Sequence, residues 1–400
     1  MDLKKKLEYY RKSSSSSAAT GQKVAESAVP VSVKALTEHF NGRLLPYPVP
    51  VVEISLSEEK EFEAGELNLE RLTKKQFKEP IPLNQCLFFD LETTGLSGGA
   101  GTYPFLFGFG YFEDAQFKLL QYFLPDFGRD YYVFKEIRPL LQQKSILITF
   151  NGKSYDFPLL KSRAILNRFD FDFDKFRHLD LLHLARRVWK DSQESCDLTS
   201  IEREQLGLER TGDIPGSLIP TAYLRFIQSG VIHEMISTIK HNQTDIFSLK
   251  KILFKLAQIN DRPESVQEAP ALFRLAKLAF ELDDFDYFLR IEKKLHDLQV
   301  KDLQKFNLLK SLFLKKRKEW LQACALWETL VPFREYSFFA LEELAKAHEH
   351  VFKNHQKALE YAQRALNIYQ KLEQLNPYHV KTEWKTAFSY RYQRLKNKLS

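Results

Sequence analysis

Cys86-Leu87-Phe88-Phe89-Asp90-Leu91-Glu92-Thr93-Thr94-Gly95 is the stretch on which the fold turns. Four apolar residues lead straight into Asp90, and the run ends in the turn-forming Thr93-Thr94-Gly95, which is the pattern of a buried strand. Side chains alternate along a strand, so Asp90 and Glu92 project to the same side at its carboxyl end. Two carboxylates placed in this way can share a divalent cation. Asp-x-Glu is frequent, however, and the pair acquires meaning only alongside further acids downstream in the chain.

Beyond it, apolar runs predict further strands at 105–112, 117–124 and 145–150. Helical spacing predicts a helix over 129–142, interrupted at Pro139. It predicts another over 155–168, where Phe157, Leu160, Ala164 and Ile165 recur on one face. Strands mixed with helices imply an α/β domain, a mixed sheet flanked by helices, over residues 83–260. Upstream, residues 1–30 read as a flexible basic and serine-rich arm containing the Ser13–Ser17 run. Residues 31–82 read as a linker and extended lead-in, stiffened by Pro46, Pro48 and Pro50.

After Pro270 every pattern is helical. Positions 35 apart align Phe285 with Trp320, Leu289 with Cys324 and Leu359, and Leu295 with Leu330 and Ala365. An all-α helical-repeat domain is therefore expected over 268–400. Its last unit, Ala358 through Leu366, resembles the second helix of a tetratricopeptide repeat, although the tryptophan and glycine usual in the first helix are not evident; an unrelated helical bundle is the alternative.

The chain has 400 residues, more than one core usually covers, and 44% of them are hydrophobic, so two folded units are expected. A net charge of +7 favours polyanionic partners such as nucleic acid. Much of that charge lies at the ends: residues 371–400 hold seven Lys/Arg against Glu373 and Glu383, a basic tail. Cys86, Cys196 and Cys324 form neither a disulfide framework nor a zinc site, which fits a reducing cytoplasm. No signal peptide and no run of 18 apolar residues occurs, so neither secretion nor a membrane partner is expected.

Two further acids stand where Asp90 and Glu92 could use them. Asp156 lies in Asn151-Gly152-Lys153-Ser154-Tyr155-Asp156, after the strand at 145–150; an acid there is equally a helix cap. Asp245 closes His241-Asn242-Gln243-Thr244-Asp245. On a helix His241 and Asp245, four apart, face the same way, so Asp245 can bind metal while His241 orients or deprotonates a water. Phosphodiester hydrolysis gains from two divalent ions, and two acids alone would scarcely hold both.

Taken in order, three segments resemble the motifs of the DEDD 3′-to-5′ exonucleases of the ribonuclease H-like fold, most closely the bacterial YprB-like branch. They are Phe89 to Gly95; Asn151 to Asp156 with Leu160 and Arg163; and His241 to Asp245. The resemblance implies two Mg²⁺ or Mn²⁺ ions held by Asp90, Glu92, Asp156 and Asp245, with His241 as catalytic general base. It implies a nucleic acid with a free 3′ end as substrate. One departure stands out: histidine-type members usually place four residues between the His and the last Asp, and here there are three.

Other features carry less. Gly95 to Gly101 either borders the substrate's terminal nucleotide or is a plain flexible loop. Asp213 to Pro220 also looks like the YprB-like pattern but reads as a structural turn. Asp180 and His183, three apart, either lie near the site or decorate a solvated helix face, the second being the favoured reading. His233-Glu234 lacks the second histidine of a zinc protease. A nucleic-acid-binding scaffold with a decayed site and a structure-specific endonuclease are the competing functions, and the helical region offers a surface for a protein partner.

Overall fold

The computed structural model describes residues 29–47, 50–57, 65–95, 102–114, 116–375 and 382–400, in two compact units divided after Ser265. The arm at 1–28, Pro48 and the glycine-rich 96–101 segment lie outside the described residues.

The first unit begins with helix α1 (Val31–His39), followed by strands β1 (Arg43–Leu44), β2 (Val52–Ser57), β3 (Glu66–Leu67) and β4 (Ile81–Pro82). The decisive run forms β5 (Cys86–Thr93), followed by β6 (Pro104–Glu113) and β7 (Gln116–Phe123). Helix α2 (Asp130–Gln143), β8 (Ile146–Thr149), α3 (Asp156–Leu166), β9 (Arg177–Asp180) and α4 (Leu181–Trp189) come next. A short helix, α5 (Leu198–Ile201), then leads to α6 (Ile219–Ser229) and the 29-residue α7 (His233–Asp261).

Seven of these strands form one mixed sheet in the order β1-β2-β7-β6-β5-β8-β9. β2, β7, β6 and β5 pair antiparallel in succession, and β8 and β9 continue parallel from β5. Phe107, on one face, meets Phe134 of α2 edge to face. The opposite face receives α7, and two glycines of β6 make the approach possible. A Cβ on Gly108 would lie 2.3 Å from Asn242 Oδ1, and one on Gly110 would lie 2.7 Å from Ile246 Cγ2. Asp90 pairs with Gly108 across the ladder, so its side chain faces α7.

Three expectations need correction. The described residues of 31–82 are not an extended lead-in, because β2 pairs along its length with β7 and Val33, Leu36, Val52 and Ile54 are core residues. The alternation of Val52, Ile54 and Leu56 outweighs the nearby prolines. Helix α2 runs unbroken through Pro139. On α3, Leu160 and Ala164 are buried, whereas Ile165 is 75% exposed and lies off the apolar face.

The second unit is all-helical: α8 (Ala269–Leu282), α9 (Phe285–Asp297), α10 (Gln304–Lys316), α11 (Trp320–Leu330), α12 (Arg334–His350), α13 (His355–Leu375) and α14 (Thr382–Leu399). Helices α9, α11 and α13 begin at 285, 320 and 355, so the 35-residue spacing sets helix upon helix. Leu295, Leu330 and Ala365 are each fully buried, while Leu289 lies outward. Three cations of the basic tail are engaged within this unit. Arg391, Arg394 and Lys398 of α14 converge on Glu349, whose side chain is wholly buried, at 2.8, 2.5 and 3.3 Å. Phe388 and Leu395 of α14 are buried. These cations serve the fold of this unit, because a buried carboxylate requires compensating charge.

Candidate metal centre

The sheet, α3 and α7 bring the sequence-derived residues together. Asp90 and Glu92 come from the carboxyl half of β5, where the ladder with β6 shifts register between Glu92 and Thr93. Asp156 opens α3. The turn before it is shaped by Asn151, which adopts a left-handed backbone (φ 62°), as Asn tolerates. Asp180 fixes that turn: its carboxylate accepts from the backbone N–H groups of Asn151 (2.8 Å) and Lys153 (3.1 Å), and it caps α4 through Leu182 N–H. Asp180 is thus a buried residue at the end of β9, not part of a solvated helix face, whereas His183 is exposed.

His241 and Asp245 lie one turn apart on α7. Glu92, His241 and Asp245 each offer a ligand atom within 4.8 Å of the others, a group able to hold a metal ion. His241 Nε2 lies 3.6 Å from Asp245 Oδ2.

Asp90 and Asp156 are coupled to this group through charge. Asp90 is held well above the ordinary carboxylate range by burial, and then by Asp245 and Asp156. Glu92 is raised by burial and then by Asp90, Asp245 and Asp156. Burial pushes Asp156 up to about 7, with the charges of Asp180 and Asp245 adding to it. Burial also raises Asp245, although His241 and Arg210 pull the other way. Carboxylates that repel one another in a part-buried site are relieved by a cation, and this oxygen-rich set with one imidazole suits a hard divalent ion.

Several residues around the acids make contacts that local spacing in the sequence does not reveal. Asn242, fully buried, donates from Nδ2 to Asp90 Oδ2 (2.7 Å). Its Oδ1 accepts from Gln121 Nε2 (2.7 Å), and Gln121 Oε1 accepts in turn from Gln243 (2.8 Å). Arg210 sends a two-pronged pair of hydrogen bonds to the buried Glu202 (2.6 Å each) and another to Asp245 Oδ1 (2.5 Å). Asp213, expected to be only part of a turn, accepts from Arg210 (3.0 Å) and lies 2.8 Å from His241 Nδ1. Partial burial works against its charge, but Arg210 and His241 hold its carboxyl below the ordinary range. Arg163 is structural, forking onto the buried Asp130 of α2 at 2.6 and 3.0 Å.

A mixed sheet with acids gathered at β5, α3 and α7 is matched from outside the chain as well. Residues 87–257 match the family model of the RNase H superfamily, and this domain belongs to that superfamily, whose members are in the main nucleases. The similarity extends beyond that domain to the "Uncharacterized protein YprB" of Bacillus subtilis (strain 168), which is 32% identical over 288 residues, 71% of this chain and 70% of that protein. No helix among the described residues is long and apolar enough to cross a membrane.

Proposed function

We propose that the chain is a divalent-metal-dependent exonuclease of the DEDD type, hydrolysing phosphodiester bonds from the 3′ end of DNA or RNA. The observation that carries this reading is the grouping of Glu92, His241 and Asp245 within 4.8 Å, with Asp90 and Asp156 near enough that their charges bear on it; burial makes all four carboxyls weaker acids than usual. These four acids would hold two Mg²⁺ or Mn²⁺ ions. When bound, such ions supply positive charge against the phosphate and its leaving oxygen and lower the pKa of water.

The remaining work belongs to the chain's own groups. Asn242 holds Asp90 in one orientation. The 3.6 Å between His241 Nε2 and Asp245 Oδ2 supports a role for His241 as the general base that accepts a proton from an attacking water. That role tolerates the three-residue spacing because consecutive turns of α7 bring the two side chains to one face.

The net positive charge supports a polyanionic substrate. The 35-residue recurrence of α9, α11 and α13 supports a tetratricopeptide-like arrangement that recruits a protein partner. Three free cysteines support a cytoplasmic location. The direction of cutting is tested with oligonucleotides labelled at either end and with a single-stranded circle. A 3′-to-5′ exonuclease leaves a ladder of shortened products from the 5′-labelled strand and an intact circle; a cut circle would establish an endonuclease instead.

A further inference from the structure

We propose that Asp213 is a positioning residue for His241, fixing the imidazole with its proton on Nδ1 and its Nε2 lone pair toward Asp245. This rests on the nuclease reading of the site and assigns a role to the one segment of the superfamily-like pattern that had none.

The geometry is specific. Both Asp213 oxygens lie within hydrogen-bond reach of His241 Nδ1, at 2.9 and 2.8 Å. An ionised carboxylate only accepts, so the nitrogen facing it donates and carries the proton. Arg210 Nη1 also approaches Nδ1, at 3.3 Å, but two closer carboxylate oxygens decide the tautomer. The opposite nitrogen, Nε2, faces Asp245 Oδ2. A carboxylate behind a histidine fixes its tautomer and ring orientation, whether the far nitrogen takes a proton or binds an ion.

Asp213 is itself held from below, so it places the ring rather than following it. The chain turns back after Leu206 at Gly207, which takes a left-handed backbone (φ 63°), and Leu208 N–H returns to Glu202 C=O at 2.9 Å. Arg210 then forks onto Glu202, which is 1% exposed, and braces Asp213 through Nη1 at 3.0 Å. The Ile214 N–H donates to Asp213 Oδ1 at 2.8 Å. A planar guanidinium gripped at one end by a buried carboxylate makes a rigid strut.

The same strut dictates what Asp213→Asn does. Arg210, the charged donor, claims the new amide's oxygen at the Oδ2 position, so the NH₂ takes the place of Oδ1, gives up the Ile214 N–H bond and faces Nδ1. The imidazole then accepts at Nδ1 and carries its proton on Nε2, the wrong nitrogen for a base facing the acids.

Histidine ¹⁵N NMR of the full chain at pH 8, with His241 assigned by comparison with His241→Gln, reads the tautomer without any metal or substrate. The wild type should show Nδ1–H and Asp213→Asn should show Nε2–H. In the hydrolysis assay Asp213→Asn should lower kcat by about a hundredfold to ten-thousandfold, the usual worth of a general base, with KM changed less than about threefold. In a His241→Gln background the same substitution should cost almost nothing further, because the two residues act as one unit. An Nε2–H tautomer in the wild type, or an equal loss from Asp213→Asn with and without His241, overturns the assignment. An inactive wild-type protein would overturn the nuclease reading alone, since the tautomer is read independently of turnover.

Discussion

Asn242 Nδ2 donates to Asp90 Oδ2 at 2.7 Å, which joins the middle of α7 to the first acid of the site. The relay continues through Gln121 to Gln243, so three buried or half-buried amides hold one carboxylate in place. Residues behind a metal ligand typically contribute 10- to 100-fold to metal affinity or activity. Asn242→Ala is therefore expected to weaken Mn²⁺ binding by about that factor. It also removes one of the two acceptors of the buried Gln121 amide, leaving Ile239 C=O at 3.1 Å, a cost of about 1–3 kcal/mol. Calorimetric titration and chemical unfolding measure the two effects separately.

Gly108 tests the same contact from the strand side. Its substitution by Ala would drive a Cβ to 2.3 Å from Asn242 Oδ1, so α7 must shift or Asn242 must leave Asp90. Overpacking of this kind costs about 1–3 kcal/mol. Gly108→Ala should lower the urea midpoint and reduce Mn²⁺ affinity together. Loss of stability with metal affinity intact would show that the β6 to α7 contact does not set the position of Asp90.

The crowded acids also make a prediction about pH. Asp156 ordinarily titrates near 3.8 and is pushed up to about 7 in the fold. A carboxyl whose folded pKa is raised contributes stability that is fully present below its unfolded value and is lost as pH rises through its folded value. The metal-free protein should therefore lose stability between about pH 4 and pH 7, more steeply than Asp156→Asn protein does. Mg²⁺ or Mn²⁺ should raise the melting temperature more at pH 8 than at pH 5, because binding requires ionised ligands. Parallel pH profiles for wild type and Asp156→Asn would contradict the assignment of that acid to the cluster.

In the helical unit, Arg391→Ala combined with Arg394→Ala leaves the buried Glu349 with Lys398 at 3.3 Å as its remaining partner on α14. Stripping partners from a buried charge costs about 3–5 kcal/mol. The double variant should lower the unfolding midpoint of this unit strongly, whereas Lys396→Ala, at an exposed position, should change it little. Equal midpoints for the double variant and the wild type would return those cations to the role of a free basic surface.

The parts of the site that were legible in the sequence are those with local spacing. Asp90 and Glu92 share a strand face by period-two alternation, Asp156 follows a strand at a turn, and His241 and Asp245 share a helix face. The residues that support them do so across long stretches of chain. Arg210 reaches 35 positions to Asp245, and Asn242 reaches 152 to Asp90; neither spacing leaves a periodic trace. β2 was hidden for a different reason. Its alternation of Val52, Ile54 and Leu56 is short and comes after Pro46 and Pro50, and its place in the sheet depends on pairing with β7 far downstream. The basic residues of α14 misled because composition counts charge without its partner, and Glu349 lies 42 residues before Arg391.

Hydrolysis of a 5′-labelled single strand by purified full-length protein with Mg²⁺ or Mn²⁺, beside the Asp90→Asn variant and a chelator control, tests the two-metal reading at its root. Progressive shortening is expected, stopping with chelator and falling by about a hundredfold or more in Asp90→Asn, with the variant still folded. Hydrolysis by Asp90→Asn at the wild-type rate, or activity unaffected by chelator, would contradict it.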